Sequence, residues 1–206
     1  MPKLFDAYDT PGVADHADEI KAAGFGGVAL YYFNTSQYKK QLTRDAAEKL
    51  SAAGLWIVSI YENGSPTSAD YFSAGKGAFD GGIAVQRAEA AGQPKGTWIY
   101  PTVDYDASQN DLLAIKEYFR AFNAKVTGAG YKTGVYGSGL VCRTLKTAGI
   151  VSKTWLTQSH GWAGYGQWLQ FADMVQGHVT SLFGVDADLD TSAASGGGGW
   201  RLPAIS

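Results

Sequence analysis

Carboxylates collect at the ends of the strand-like runs in this chain. Asp6 and Asp9 close the first apolar run, and Glu62 follows Tyr61. Asp104 and Asp106 follow Val103, while Asp186, Asp188 and Asp190 follow Phe183–Val185. Acids are depleted inside strands, and a ring of them facing one cavity costs mutual repulsion and desolvation. Four such ends therefore point to a task. Crowding raises at least one pKa, which sets a protonated acid beside an ionised carboxylate, the pair that glycoside cleavage needs. Asp104 and Asp106 are two apart, which on a strand places them on one side with Cα atoms roughly 6.6 Å apart. A lone acid at a strand end more often caps the next helix, and Asp9 and Asp111 are read that way.

Aromatic side chains share these ends, among them Tyr8, Tyr31, Tyr32, Phe33, Tyr61, Tyr105, Tyr136 and Trp168. A flat π face suits the C–H face of a pyranose, and phenol or indole tips reach its hydroxyls. Tyr8, Tyr32, Tyr61, Tyr105, Tyr136 and Trp168 are the candidate sugar contacts, together with Asp188. Other chemistries fare worse. His16 lies in a helix, while His160 and His178 are isolated, so a transition-metal site is not expected. An all-oxygen Mg²⁺ or Ca²⁺ site among the aspartates stays open. Ser138 lacks the Gly-x-Ser-x-Gly spacing of a nucleophile turn, since Val135 stands at the first glycine, and reads as a helix cap. No organic cofactor is implied.

The chain has 206 residues, 17 basic against 19 acidic, with 27 glycines and one cysteine. That fits one compact domain over 1–206. A net charge of -2 gives no field to gather phosphate backbones or anionic lipids, so neither nucleic acid nor membrane is an expected partner. Cys142 has no second cysteine for a disulfide. The first residues enter a strand-like run directly, without the basic start and apolar stretch of a secretory signal. Location stays open, and a monomer is expected.

The elements that must position the acids follow from punctuation. A small residue plus glycine recurs at Ala23-Gly24, Ala53-Gly54, Ala91-Gly92, Ala129-Gly130 and Ala148-Gly149, each reading as a helix end. Thr10-Pro11 opens the first helix, and Leu112, Ile115, Phe119, Phe122 and Val126 mark the clearest one, preceded by a box of Ser108 and Asp111. Weaker helices cover about Leu42 to Ala53, Ala69 to Ala91 and Gly139 to Ala148. Strand-length runs lie at Leu4–Tyr8, Val28–Phe33, Leu55–Tyr61, Thr97–Val103 and Thr133–Tyr136. Three more lie around Thr154–Thr157, Gln167–Phe171 and Phe183–Val185. Alternating strands and helices call for a parallel sheet, and eight units close into a small α/β (β/α)8 TIM-like barrel. At this length its last third must have shortened or missing helices. The tract Gly196 to Gly199 reads as a link that lets Trp200 and Leu202 pack under the barrel.

Several of these segments, in this order, resemble a known family. They are Leu4-Phe5-Asp6, Ala22-Ala23-Gly24-Phe25, Ile60-Tyr61-Glu62-Asn63, Val103-Asp104-Tyr105-Asp106, Gly134-Val135-Tyr136-Gly137, Gln167-Trp168-Leu169-Gln170 and Val185-Asp186 to Asp190. Together they resemble the glycoside-hydrolase-like barrel domain of bacteria and phages, formerly of unknown function and related to family 25 lysozymes. The resemblance implies a small (β/α) barrel that cleaves, or at least binds, peptidoglycan glycan or another amino-sugar polysaccharide. It matches Asp6 to the first-strand aspartate of those lysozymes, Asp104 to the first acid of their Asp-x-Glu motif, and Asp188 to the last-strand acid. Asp106 stands where they carry the catalytic glutamate. An aspartate is one methylene shorter, so Glu62 becomes the candidate general acid, with Asp104, Asp106 and Asp6 completing the catalytic set. A glycosidase of the lysozyme or phage-endolysin kind is the leading expectation. A catalytically silent glycan-binding barrel is the alternative, and a structural barrel without sugar affinity is a third reading.

Overall fold

The computed structural model of the protein describes residues 3–35, 40–192 and 197–203. Eight strands close into one barrel in sequential order. They are β1 (Lys3–Ala7), β2 (Phe25–Tyr32), β3 (Trp56–Tyr61), β4 (Trp98–Pro101), β5 (Lys132–Gly137), β6 (Lys153–Leu156), β7 (Met174–Leu182) and β8 (Val185–Ser192). Between them run α1 (Thr10–Asp15), α2 (Ala17–Ala22), α3 (Arg44–Ala52), α4 (Ala74–Ala91), α5 (Leu112–Gly128), α6 (Gly139–Thr147) and the single turn α7 (Tyr165–Trp168). A 3-10 turn at Ala69–Tyr71 precedes α4, and another at Leu169–Phe171 follows α7. This is the expected small TIM-like barrel, with helices dwindling in its last third.

The five glycines read as helix ends, Gly24, Gly54, Gly92, Gly130 and Gly149, all have positive φ, between 66° and 87°. Each sits where the left-handed conformation ends a helix and turns the chain back toward the sheet. Caps at the other end hold for Asp9 and Ser138 but not for Asp111, whose carboxylate accepts from Ser108 N and Oγ instead of the first turn of α5. Asp9 Oδ1 accepts from Gly12 N, and Ser138 Oγ accepts from Val141 N. Thr10 is not the cap of α1; its hydroxyl donates to the Lys40 carbonyl instead.

The last two strands differ from expectation. Gln167–Phe171 is helical rather than extended. The seventh strand is Met174–Leu182, whose outer half is polar and partly exposed, so it lacks the apolar run of a buried strand. Phe183 and Gly184, with φ of 54° and 74°, form a tight turn into β8. β8 therefore runs antiparallel to both β7 and β1, and no helix separates it from β7.

Alternation along the strands sorts the core into two layers. Leu4, Ala29, Tyr31, Val58, Ile60, Tyr100, Trp155 and Met174 fill the barrel, while Phe5, Val28, Leu30, Tyr32, Ile57, Tyr61 and Ile99 pack outward against the helices. The Tyr100 ring crosses the interior so closely that a Cβ at Gly134 would lie 2.4 Å from it. Its hydroxyl donates to the Gly197 carbonyl. Trp200 is 1% exposed and exchanges both backbone bonds with Ile57 at the start of β3, closing the barrel floor as expected. Leu202 packs beside it at the same end. Gly196, at the head of the expected link, lies outside the described residues. No helix among the described residues is long and apolar enough to cross a membrane.

Candidate active site

The inner face of each parallel strand ends at one mouth, and there Asp6, Glu62, Asp104 and Asp188 meet. They line a cleft of about 200 Å³ with Tyr8, Tyr31, Thr102, Tyr136, Gln158 and Gln176. Asp6 comes from β1, Glu62 follows β3, and Asp104 follows β4. Asp188 descends from the β7–β8 turn to pair in register with Asp6. Four separate segments thus converge on one opening.

Of these four acids Asp6 lies deepest, 3% exposed. Tyr31 Oη donates to its Oδ1 at 2.9 Å, and Gln176 Nε2 donates to its Oδ2 at 2.9 Å. Gln176 is itself held by Tyr136, whose hydroxyl donates to Gln176 Oε1 at 2.7 Å. Burial nonetheless dominates and, with the Asp188 charge, raises the Asp6 pKa to about 7. Beneath it, Asp190 Oδ1 accepts from Trp155 Nε1 at 3.1 Å, while Oδ2 has no donor among the described residues. Burial first and the Asp6 charge second push the Asp190 pKa well up.

Glu62 is the other neutral-range acid. Burial first and the Asp104 charge second raise its pKa to about 7, against the pull of Thr102 and Lys40. Its carboxylate takes one long protein bond, from Thr102 Oγ1 to Oε2 at 3.3 Å. Asp104 sits at the open rim, where partial burial raises its pKa. Asp188, half-buried, is also raised by burial, and it accepts from Gln158 Nε2 at 3.2 Å. The cleft thus sets two carboxyls raised to about 7, Asp6 and Glu62, beside the less buried Asp104 and Asp188. Such a set can both donate a proton and stabilise positive charge.

Tyr8 is the exposed aromatic at the mouth, with 43% of its surface free. One face stacks on Tyr31 at 4.7 Å between centroids, and Lys40 Nζ lies 3.5 Å over the ring.

Several sequence candidates fall elsewhere. Asp106 turns away from the cleft, and its Oδ1 accepts from Ala163 N at 2.7 Å. β4 ends at Pro101, so the alternation assumed for Asp104 and Asp106 does not continue that far. Tyr32 and Tyr61 are one residue out of phase with the inward side chains, Tyr31 and Glu62. Their hydroxyls donate to Gln93 and Asp80 in the helix layer. Tyr105 stacks on Phe72 outside the barrel, and Trp168 donates to Thr154 Oγ1 from the short helix α7. Asp186 is exposed on the hairpin. Conversely, Thr102, Gln158 and Gln176 were missed, and Asp190, read only as one of the last-strand acids, lies buried under Asp6. Counting back two from Asp104 places Thr102 inward, whereas Tyr31, on a strand without an acid, is placed only by its register with β3. The two glutamines carry no such mark in the sequence. Among the described residues, no group of three or more His, Cys, Asp or Glu is arranged to hold a metal ion.

Comparisons with known proteins agree with this architecture. The "uncharacterized protein FadG" of Bacillus subtilis is 31% identical over 159 residues, covering 73% of this chain. The chain spans only about a quarter of the length of that relative, 27%. The Tat-secreted protein Rv2525c of Mycobacterium tuberculosis, solved with L-tartrate, is 25% identical with a TM-score of 0.82, over 97% of this chain and 99% of that one. The autolysin LytC of Streptococcus pneumoniae, solved with a synthetic peptidoglycan ligand, shares the fold at 14% identity. Its TM-score is 0.64 over 92% of this chain and 46% of that one. The model of the Rv2525c-like, glycoside hydrolase-like domain matches residues 18–190, and the chain belongs to that family.

Proposed function

We propose that the protein is a glycoside hydrolase acting on an amino-sugar glycan, with bacterial peptidoglycan as the polymer. The observation that carries this reading is the Glu62 carboxyl, half-protonated near pH 7, opening on the same cleft as the rim carboxylate of Asp104. Glu62 serves as the general acid that protonates the departing glycosidic oxygen. Asp104 faces the positive charge that develops at the anomeric carbon, or orients the acetamido group if the substrate assists its own cleavage. Asp6 and Asp188 hold sugar hydroxyls and raise the proton affinity of the set. Tyr8 and Tyr136 supply the aromatic wall. The peptidoglycan ligand bound by LytC, which has the same fold, supports this choice of polymer.

Purified cell walls incubated with the protein are expected to lose turbidity and gain reducing ends, and Glu62→Gln is expected to cut the rate by about a hundredfold or more. Full activity in that variant would remove Glu62 from the role.

One observation favours a second reading, a barrel that binds glycan without cutting it. Asp106, two positions beyond Asp104, is committed to the Ala163 backbone and leaves the cleft with one carboxyl fewer. Saturable retention on insoluble walls, with no new reducing ends, would establish that reading in place of the first.

A further inference from the structure

Asp80 sits in the helix layer behind the cleft, on α4, and is 0% exposed. Four donors surround its carboxylate. Tyr61 Oη and Lys76 Nζ reach Oδ1 at 2.9 and 2.7 Å, and Tyr71 Oη and Tyr118 Oη reach Oδ2 at 2.8 and 2.9 Å. Tyr71 Oη also lies 2.7 Å from the Asn63 carbonyl, so its single hydrogen is shared between two acceptors. Tyr61 and Asn63 are the residues immediately before and after Glu62. One carboxylate therefore grips the chain on both sides of the candidate acid.

Glu62 has little else to fix it. Its side chain has the long bond from Thr102, and its backbone N donates to Tyr32 O at 3.3 Å. The grip, by contrast, is anchored in rigid structure. A Cβ on Gly77 would lie 2.1 Å from the Tyr118 carbonyl, and one on Gly81 would lie 2.9 Å from the Phe122 carbonyl, so α4 and α5 touch backbone to backbone. A buried, fully bonded charge is commonly no more stabilising than apolar packing of the same volume. What this one adds is geometry.

We propose that Asp80 is a positioning residue for the reaction, holding Tyr61 directly and Asn63 through Tyr71 so that the Glu62 carboxyl points into the cleft. The inference rests on the glycosidase reading for its kinetic arm but not for its structural one.

Two variants separate placement from stability. Tyr71→Phe and Tyr118→Phe each delete one hydroxyl bond to Asp80 Oδ2, but only Tyr71 reaches the Glu62 loop. Both are expected to lower the melting temperature to a similar extent. Tyr71→Phe alone is expected to lower kcat about tenfold or more with KM within twofold, since small misplacements of a reacting group cost rate rather than affinity. Tyr118→Phe should keep kcat within threefold. The activity-independent readout is the titration of the Glu62 carboxyl followed by ¹³C NMR. The charged or titratable groups that face it are Asp104, Lys40, Asp6, Tyr8, Tyr31 and Tyr71. In Tyr71→Phe its midpoint should move down toward the ordinary glutamate range as water reaches the loosened loop, and in Tyr118→Phe it should stay. Asp80→Asn, where it folds, should reproduce the Tyr71→Phe pattern. Equal kcat and equal Glu62 titration in the two phenylalanine variants would overturn the proposal. If the wild-type protein cuts no glycan, the function proposed above fails on its own, and the Glu62 titration still decides the positioning role.

Discussion

Asp6 and Asp188 are register partners across the antiparallel β1–β8 pair, so two carboxylates stand side by side on the inner face of the barrel. Like charges directly opposite one another in a sheet are destabilising by a few tenths of a kcal/mol to about 1 kcal/mol. Asp6 is neutral well below pH 7 and ionised above it. Asp188→Asn should therefore stabilise the fold by roughly 0.5 kcal/mol at pH 8 and leave it unchanged near pH 5. Asparagine Oδ1 can still accept from Gln158, so no bond is lost. Urea melts at the two pH values measure the difference.

Glu62 carries a larger cost of the same kind. Its pKa rises from 4.5 in an open chain to about 7 in the folded protein. A raised carboxyl favours folding below its unfolded value, and that support disappears as pH climbs through the folded one. Removing the charge with Glu62→Gln should thus raise stability by roughly 3 kcal/mol at pH 8 and by nothing measurable near pH 4. The variant that loses activity should melt later at alkaline pH.

The rate should fall on the alkaline side as Glu62 gives up its proton. The alkaline limb of kcat/KM is expected near pH 7, with activity sustained below it while Asp104 stays ionised. A limb at the ordinary glutamate value would show that the acid works in open water and not in this cleft. Asp6 and Glu62 sense one another's charge, so the limb reports the pair and not one carboxyl alone.

Asp106 is expected to matter for the loop and not for the chemistry. Asp106→Ala removes the acceptor of Ala163 N and should lower stability by about 1 kcal/mol. Reducing-end production per folded molecule should stay within threefold of wild type. A collapse of kcat without a change in melting temperature would return Asp106 to the reacting set.

Local punctuation made the barrel readable in the sequence. Gly24, Gly54, Gly92, Gly130 and Gly149 each need a conformation that other residues resist, so their positions marked the helix ends without any knowledge of the tertiary fold. The acids that meet at the mouth were legible for a related reason, because charge at a strand end is expensive unless used. What failed depended on phase and on distant partners. Tyr32 and Tyr61 are rich in chemistry but one step from the inward face, and only the register with neighbouring strands decides that. β7 was hidden because a hairpin arm standing clear of the barrel needs no apolar run. Asp80 could not be singled out, since its donors come from positions 61, 71, 76 and 118 and only the closed barrel brings them together.

The reversal of β8 sets where this scaffold can be varied. Had the final strand run with the others, Asp188 would precede a connection that must carry the chain to the opposite end of the barrel. As built, the two-residue bend at Phe183 and Gly184 stands above the opening, with the acid several residues below it on a paired strand. Lengthening that bend would raise a parapet beside the cleft while every carboxyl kept its station, which makes it the natural place to graft additional contacts at the opening.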